Sequence, residues 1–304
     1  MSEPFVNGED IKNLADHCFW SDIHHPTGGD MSFSGGDIVF CKIDKVLDFF
    51  EKIRLTRKRI ILITGEGDLP CDSFRQKFLP HNIFHWFATN VTHTHPRVTA
   101  LPLGLGAMGD PVTLSWQQII AGKKMGLTRE RWLYVNFRPE TNPAVRQPIH
   151  DYLKRASSIE PWITMEEAAG CGANQGYLKN LLTHRFVLCP PGNGIDTHRL
   201  WESLAAGAVP IVIKTPAMKP FQDLPIMFVV KYEDVSEKML EKTWNTILGC
   251  SYKDEKLKEK YWENLIKNMQ RQVKPDINIL YWFLLTARYG FGFIARKINF
   301  KKWL

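Results

Sequence analysis

Between His184 and Ile213 the chain reads HRFVLCPPGNGIDTHRLWESLAAGAVPIVI. Arg185 to Cys189 and Ala208 to Ile213 are short, continuous apolar runs, the pattern of strands buried on both faces of a parallel sheet. Between them Asp196 is a good N-cap residue and Gly207 a good residue just past a helix end, so the spacing predicts a helix opening at Asp196 and closing at Gly207. The segment is a strand, a turn over Pro190 to Ile195, a helix and a second strand.

Comparable runs recur at Asp37 to Cys41, Arg59 to Thr64, Val98 to Leu103, Trp132 to Phe137 and Ile226 to Val230. Alternation of such runs with helix-like segments predicts an α/β fold. The polar, basic stretch Ala121 to Arg131, with Gly122 and Gly126, reads as a linker between two sheets, which places a boundary near residue 128. The halves are then 1–128 and 129–304. Past Val235 the pattern becomes helical, with Trp244, Leu248, Tyr261, Trp262, Leu265 and Ile266 spaced for apolar faces; the last helix is a candidate to cross back onto the first half.

The 304 residues, 44% hydrophobic and 23% charged, exclude a disordered chain or a small disulfide scaffold. Lys plus Arg outnumber Asp plus Glu by 39 to 32, which favours an anionic partner. Met1 to Asp10 lacks the basic start and apolar run of a secretory signal, and the uncharged tract from Ile277 stops at Arg288, short of the roughly 18 to 20 residues that span a bilayer. The expectation is a soluble, cytoplasmic protein. Cys18, Cys41, Cys71, Cys171, Cys189 and Cys250 include no Cys-x-x-Cys pair and read as reduced thiols.

The turn after the first strand of such a unit faces the ligand crevice, and Gly192 and Gly194 allow backbone N–H groups to approach a phosphate. It is neither a dinucleotide fingerprint, for want of a third glycine, nor a Walker loop. Arg199 stands with His198 in the first helical turn, where the macrodipole disfavours a cation by up to about 1 kcal/mol, so a bound anion would account for it. An i,i+3 surface pair between Arg199 and Glu202 accounts for it equally well.

The string Phe186 to Leu204 followed by Gly207 to Val212 closely resembles the donor-binding motif of exostosin-like (family 47) glycosyltransferases. Looser likeness runs through Leu62-Ile63-Thr64-Gly65-Glu66-Gly67-Asp68, Trp86 to Asn90, Leu101 to Leu105, Val135-Asn136-Phe137, Thr141-Asn142-Pro143 and Arg146, so that it extends from about residue 37 to 231. Within the family the chain looks most like the compact, anchor-free enzymes of large algal viruses, some of them xylosyltransferases, which would place it in a host cytoplasm. The resemblance implies a GT-B architecture of two Rossmann-like domains facing a cleft, with a UDP-sugar as donor and a glycan hydroxyl as acceptor. Family members often write Thr-His-Asn-Ser-Asp where this chain has Thr64-Gly65-Glu66-Gly67-Asp68, so the final Asp is kept while the His and Asn are lost.

On that reading Gly192, Asn193, Gly194, Asp196, Thr197, His198 and Arg199 hold the diphosphate, Asn136 and Arg138 reach it from the preceding strand end, and Glu202 accepts the ribose hydroxyls. Asp68 is the leading candidate for the base, with Asp72 and Glu66 as neighbours; the competing reading of Asp68 is a helix cap. No Asp-x-Asp occurs in the chain, Glu66-x-Asp68 being the closest variant, so no cofactor is required on this reading and the helix N-terminus with Arg199 stands in for a metal. The Glu-x7-Glu signature of many retaining GT-B enzymes is also missing, since Pro210 stands eight residues after Glu202, which favours inversion. Trp162 and Ile163 are candidates to flank a base, with core packing the favoured reading.

His24-His25, His81/His85 and His93-x-His95 lack the spacing of a zinc site, and no metal is expected. No helix-turn-helix, zinc finger or RNA-binding signature is present, so nucleic acid is not an expected partner. The tail from Phe291 to Leu304 interleaves Arg296, Lys297, Lys301 and Lys302 with aromatics, which suits peripheral membrane or polyanion contact as well as an end helix with a solvated basic face. A non-catalytic carbohydrate- or polyanion-binding protein on the same fold is the alternative function.

Overall fold

The computed structural model describes residues 3–19, 33–108, 112–166, 175–252, 254–274 and 276. They form two parallel sheets of five strands each, so the expected α/β class and paired sheets are both present. The first sheet holds β1 (His17–Phe19), β2 (Ile38–Lys42), β3 (Ile60–Gly65), β4 (Ile83–Ala88) and β5 (Val98–Ala100), side by side in chain order. The second holds β6 (Arg131–Val135), β7 (Ile163–Met165), β8 (His184–Leu188), β9 (Val209–Ile213) and β10 (Met227–Val229), in the order β7-β6-β8-β9-β10.

Every apolar run marked in the sequence falls on a strand, but β1, β4 and β7 are additional. β4 lies inside the sheet between β3 and β5, and His85 breaks its apolar run; the ring is tolerated there because a ring nitrogen meets Thr99 Oγ1 at 2.8 Å.

In chain order with right-handed crossovers, the connecting helices of the first sheet belong on one face. Phe49, Phe50 and Ile53 of α2 (Val46–Ile53) accordingly pack on Val39, Cys41, Leu62 and Trp86. The opposite face, carried by Ile38, Phe40, Ile61, Ile63 and Phe87, is covered from elsewhere: by Ile11 of α1 (Gly8–Lys12) and by Trp262 and Ile266 of α9 (Glu259–Arg271). Helix α9 is tied there by Gln270 Nε2 donating to Gly36 O at 2.9 Å, and Val6 N donates to Leu257 O, also at 2.9 Å, just ahead of it.

The second sheet is wrapped on both sides. Ile149 and Leu153 of α5 (Pro143–Ser157) and Leu240 of α8 (Glu237–Leu248) pack on one face. Leu181 of α6 (Gln175–Thr183) and Leu200 and Leu204 of α7 (His198–Ala206) pack on the other. That second cluster is continuous with the α9 face of the first sheet, so the two halves share an apolar core.

Two local expectations are corrected. The stretch from Ala121 to Arg131 is not wholly a linker, because α4 (Trp116–Lys123) runs into it from a capping box made by Ser115 and Gln118. This helix packs on α6 and α7, and a Cβ on Gly122 would stand 2.8 Å from Leu178 Cδ2, so it sides with the second sheet despite preceding residue 128. The 184–213 helix opens at His198 with Thr197, not Asp196, as N-cap, because the Asp196 carboxylate is engaged elsewhere. Its other end is as expected: Gly207 is left-handed at φ 90. Among the described residues no helix is long and apolar enough to cross a membrane. His24-His25, Cys171, the tract from Ile277 and the tail from Phe291 lie outside the described residues.

Candidate functional site

In the second sheet the strand order reverses between β6 and β8, and ligands of open α/β sheets bind outside the carboxyl ends of the strands at such a switch point. Asn136 follows β6, and the loop Pro190 to Thr197 follows β8. A small crevice at the carboxyl ends of β8 and β9 is lined by Cys189, Pro191, Ile195, Thr197, Val212 and Thr215.

The loop is braced from beneath by Arg146 of α5, which is 5% exposed. Its Nε donates to Pro191 O at 2.9 Å, Nη2 to Pro190 O at 2.9 Å, and Nη1 to Arg138 O at 3.1 Å and to Thr141 Oγ1. Asn142 Nδ2 donates to Gly192 O at 3.0 Å. Gly192 is glycine for a steric reason, since a Cβ there would stand 2.9 Å from Arg146 Nη2. Burial draws the Arg146 pKa down to about 10, so it remains charged at neutral pH.

Arg199 lies half-buried in the first turn of α7, where Thr197 contributes no side-chain cap. Its Nη2 is 3.4 Å from Asn136 Oδ1 and its guanidinium carbon 5.9 Å from the centre of the Tyr177 ring. The Arg199 Nε is buried without a hydrogen-bond partner among the described residues. Glu202 is not its surface partner. That carboxylate is 3% exposed and accepts from Leu114 N at 2.7 Å on Oε1 and from Tyr177 OH at 2.6 Å on Oε2. The sequence reading therefore brings Asn136 and Arg199 together, and leaves Arg138 and Asn193 exposed at the rim.

Asp196 and His198 face the first half of the chain. Asp196 is 4% exposed and accepts from Leu103 N at 2.8 Å, Thr197 N at 2.8 Å and Trp201 Nε1 at 2.9 Å, while its own N–H donates to Asn90 Oδ1 at 2.9 Å. Burial outweighs these bonds and pushes its pKa up to about 6. A ring nitrogen of His198, Nδ1, lies 2.8 Å from Gly104 O. These two side chains bolt the loop to the first half.

The three N-half carboxylates separate clearly. Asp72 caps α3 (Ser73–Lys77), accepting from Arg75 N at 2.9 Å and Arg75 Nη1 at 3.1 Å. Glu66, left-handed at φ 52, takes Lys12 Nζ at 2.8 Å. Asp68 is exposed with no partner among the described residues, and its Oδ1 is 3.4 Å from where a Cβ on Gly194 would stand. Asp68 and the glycine loop therefore meet across the two halves; Glu66 and Asp72 are turned to local partners.

Among the described residues no three His, Cys, Asp or Glu side chains are grouped to hold a metal. His95 Nδ1 accepts from Arg97 N at 3.1 Å, and burial lowers the His85 pKa to about 4. Trp162 packs at the edge of the core, with Nε1 donating to Glu160 at 2.8 Å. Tyr177 escaped the sequence reading altogether, as nothing in its neighbours marks a lone tyrosine that meets Arg199 and Glu202 only after folding.

Residues 105–236 match the model of a family described as the Exostosin GT47 domain. No curated protein matches the chain. Among solved structures, the GtfA/B complex is similar at 11% identity over 79% of this chain and 58% of that one, with a TM-score of 0.40. The UDP-GlcNAc 2-epimerase from Methanocaldococcus jannaschii is similar at 11% identity over 77% of each chain, with a TM-score of 0.38. The pneumococcal O-GlcNAc transferase GtfA in complex with UDP and GlcNAc is similar at 10% identity over 79% of this chain and 54% of that one, with a TM-score of 0.34. This chain thus spans little more than half the length of the first and third of these structures.

Proposed function

We propose that the chain transfers a sugar from a nucleoside diphosphate sugar, UDP-linked by preference, to a glycan hydroxyl, with the two halves working in the GT-B manner. The observation that carries this reading is Arg199, a cation with a buried unpartnered Nε at an uncapped helix N-terminus beside the switch point of the second sheet. The match of residues 105–236 to the exostosin model supports it.

In the proposed step Asp68 takes the proton of the acceptor hydroxyl, whose oxygen attacks the anomeric carbon as the bond to the diphosphate breaks. The electron pair leaves with the diphosphate, and Arg199 and the N–H groups of the Gly192 to Gly194 loop and of α7 meet that charge. One displacement inverts the anomeric carbon. Without Asp-x-Asp in the chain, the reading is metal-independent. Xylose as the sugar rests on the resemblance to the algal-virus enzymes alone.

The test is thermal unfolding with nucleotides. UDP at a hundred times its Kd stabilises a folded protein by about 2.7 kcal/mol, a rise of several degrees. Arg199→Ala should remove that rise while leaving the unliganded melting curve within a degree or two. A melting curve that does not move with UDP, GDP or their sugars at millimolar concentration would overturn the proposal.

A further inference from the structure

We infer that Tyr177 and Glu202 form a positioning relay for Arg199, and that Glu202 acts through this relay rather than by receiving a ligand's diol. The inference rests on the proposed reading of Arg199 as the diphosphate-binding cation. Glu202 lies one helical turn beyond Arg199 on α7, yet both its oxygens are engaged, by Leu114 N at 2.7 Å and Tyr177 OH at 2.6 Å. A carboxylate can accept more than two hydrogen bonds, but Glu202 is only 3% exposed and packed behind Leu114 and Tyr177, so a diol would reach it only by moving one of these partners aside.

What Glu202 does in place is fix the tyrosine. The Tyr177 hydroxyl is held at one end, and its ring presents a face to the Arg199 guanidinium 5.9 Å away. Tyr134 flanks it, with ring centres 6.2 Å apart, and is itself held by donating to Glu166 Oε2 at 2.8 Å. With Asn136 Oδ1 at 3.4 Å on the other side, Arg199 is oriented by two neutral groups and keeps its charge for an anion. A carboxylate placed directly on Arg199 would compete with that anion; set behind Tyr177, it orients without competing. Tyr177 and Glu202 are therefore positioning residues.

The test measures the affinity of UDP, inorganic pyrophosphate and uridine for the full chain and for Tyr177→Phe, Glu202→Gln and Arg199→Ala, with each of the first two also combined with Arg199→Ala. Glu202→Gln keeps the side chain's shape but replaces one of its two acceptor oxygens with an amide donor, so the hold on Tyr177 or on Leu114 N is disturbed with little change in packing, and the experiment stays readable if Tyr177→Phe folds poorly. The expected result is a loss of about 5- to 10-fold for UDP and pyrophosphate in both single variants, unchanged uridine affinity, and no further loss in the Arg199→Ala background.

Unchanged UDP and pyrophosphate affinity, or losses that add to that of Arg199→Ala, would overturn the relay. Loss of uridine affinity in Glu202→Gln with pyrophosphate unaffected would instead make Glu202 the diol receptor. If the wild-type chain binds pyrophosphate but not UDP, the nucleotide-sugar reading falls and the relay is judged on pyrophosphate alone. If it binds neither, both fall.

Discussion

The two sheets have the same number of parallel strands and opposite consequences for binding. The first runs in chain order, so its strand ends contain no reversal. The second reverses between β6 and β8, and that reversal opens a gap which α7 enters with its N-terminus. The loop at the gap is built before any ligand arrives: Arg146 and Asn142 hold its carbonyls, and Asp196 pins its end. The loop after β3 is different, since its nearest carboxylate to the gap, Asp68, is held by nothing among the described residues. On the proposed reading, rigidity on one side serves the binding of a leaving group and an unengaged carboxylate on the other serves the deprotonation of an acceptor.

The largest effect tests the unengaged side. Asp68→Asn should lower transfer by 10²- to 10⁴-fold, the usual worth of a general base, while changing unfolding stability by no more than about 0.5 kcal/mol. Both measurements are needed. Transfer that survives Asp68→Asn would move the chemistry away from this loop and erase the contrast between the two sides.

On the braced side the largest effect is on folding. Arg146→Ala removes hydrogen bonds to three carbonyls, leaving Pro190 O without a donor among the described residues while Arg138 O keeps Thr141 Oγ1 at 2.9 Å and Pro191 O keeps Asn142 Nδ2 at 3.4 Å, and should cost about 3 kcal/mol in urea unfolding. Arg146→Lys should recover little, because a single ammonium cannot reproduce the planar fork. Full recovery by lysine would mean that only charge matters there.

Much of this division was legible in the sequence, for identifiable reasons. The segment 184–213 contained its own strand runs, end signals and glycines, all of them local, so the strand-helix-strand unit and the place of Arg199 could be read directly. Asp196, His198 and Glu202 have the right residue types for ligand contact but are engaged by Leu103, Gly104 and Leu114, all from roughly ninety residues earlier. Nothing local encodes such partners. The same limit hid β4, whose interior histidine is acceptable only because Thr99 stands on the next strand. Tyr177 shows the limit most sharply, since its role is defined wholly by what folds around it.

Asp196 yields a pH-dependent difference. Its pKa rises from 3.8 to about 6 on folding, so the folded state binds the proton more tightly, and this group's contribution to stability grows as pH falls from about 6 toward 4. Two units correspond to roughly 3 kcal/mol at most. His85 and His184 act in the opposite sense: burial lowers each from 6.5 to about 4, so their contribution is present above 6.5 and is lost as pH falls through the same window. The net profile mixes both signs. The difference between wild type and Asp196→Asn isolates the first: the wild type should gain relative to the variant between pH 6 and 4, with little change above pH 6.5. A flat difference would show the bolt between the halves to be ionised throughout.

The smallest effect is the sharpest control on the comparison, because Asp68 and Asp72 lie four residues apart in one loop. Asp72 accepts from Arg75 N at 2.9 Å as the N-cap of α3, and its second oxygen takes the Arg75 guanidinium at 3.1 Å. Removing a cap of this kind costs about 1 kcal/mol, and the partly exposed i,i+3 ion pair adds little. Asp72→Ala should therefore lower the unfolding free energy by about 1 kcal/mol and leave transfer per folded molecule within about 2-fold of wild type. Asp72→Asn or Asp72→Ser, which retain a capping oxygen, should restore most of the stability. The two aspartates then show reciprocal patterns, activity without stability at Asp68 and stability without activity at Asp72. If Asp72→Ala instead removes transfer while Asp72→Asn does not, the base depends on the placement of α3, and the unengaged side of the site is more ordered than its exposed carboxylate implies.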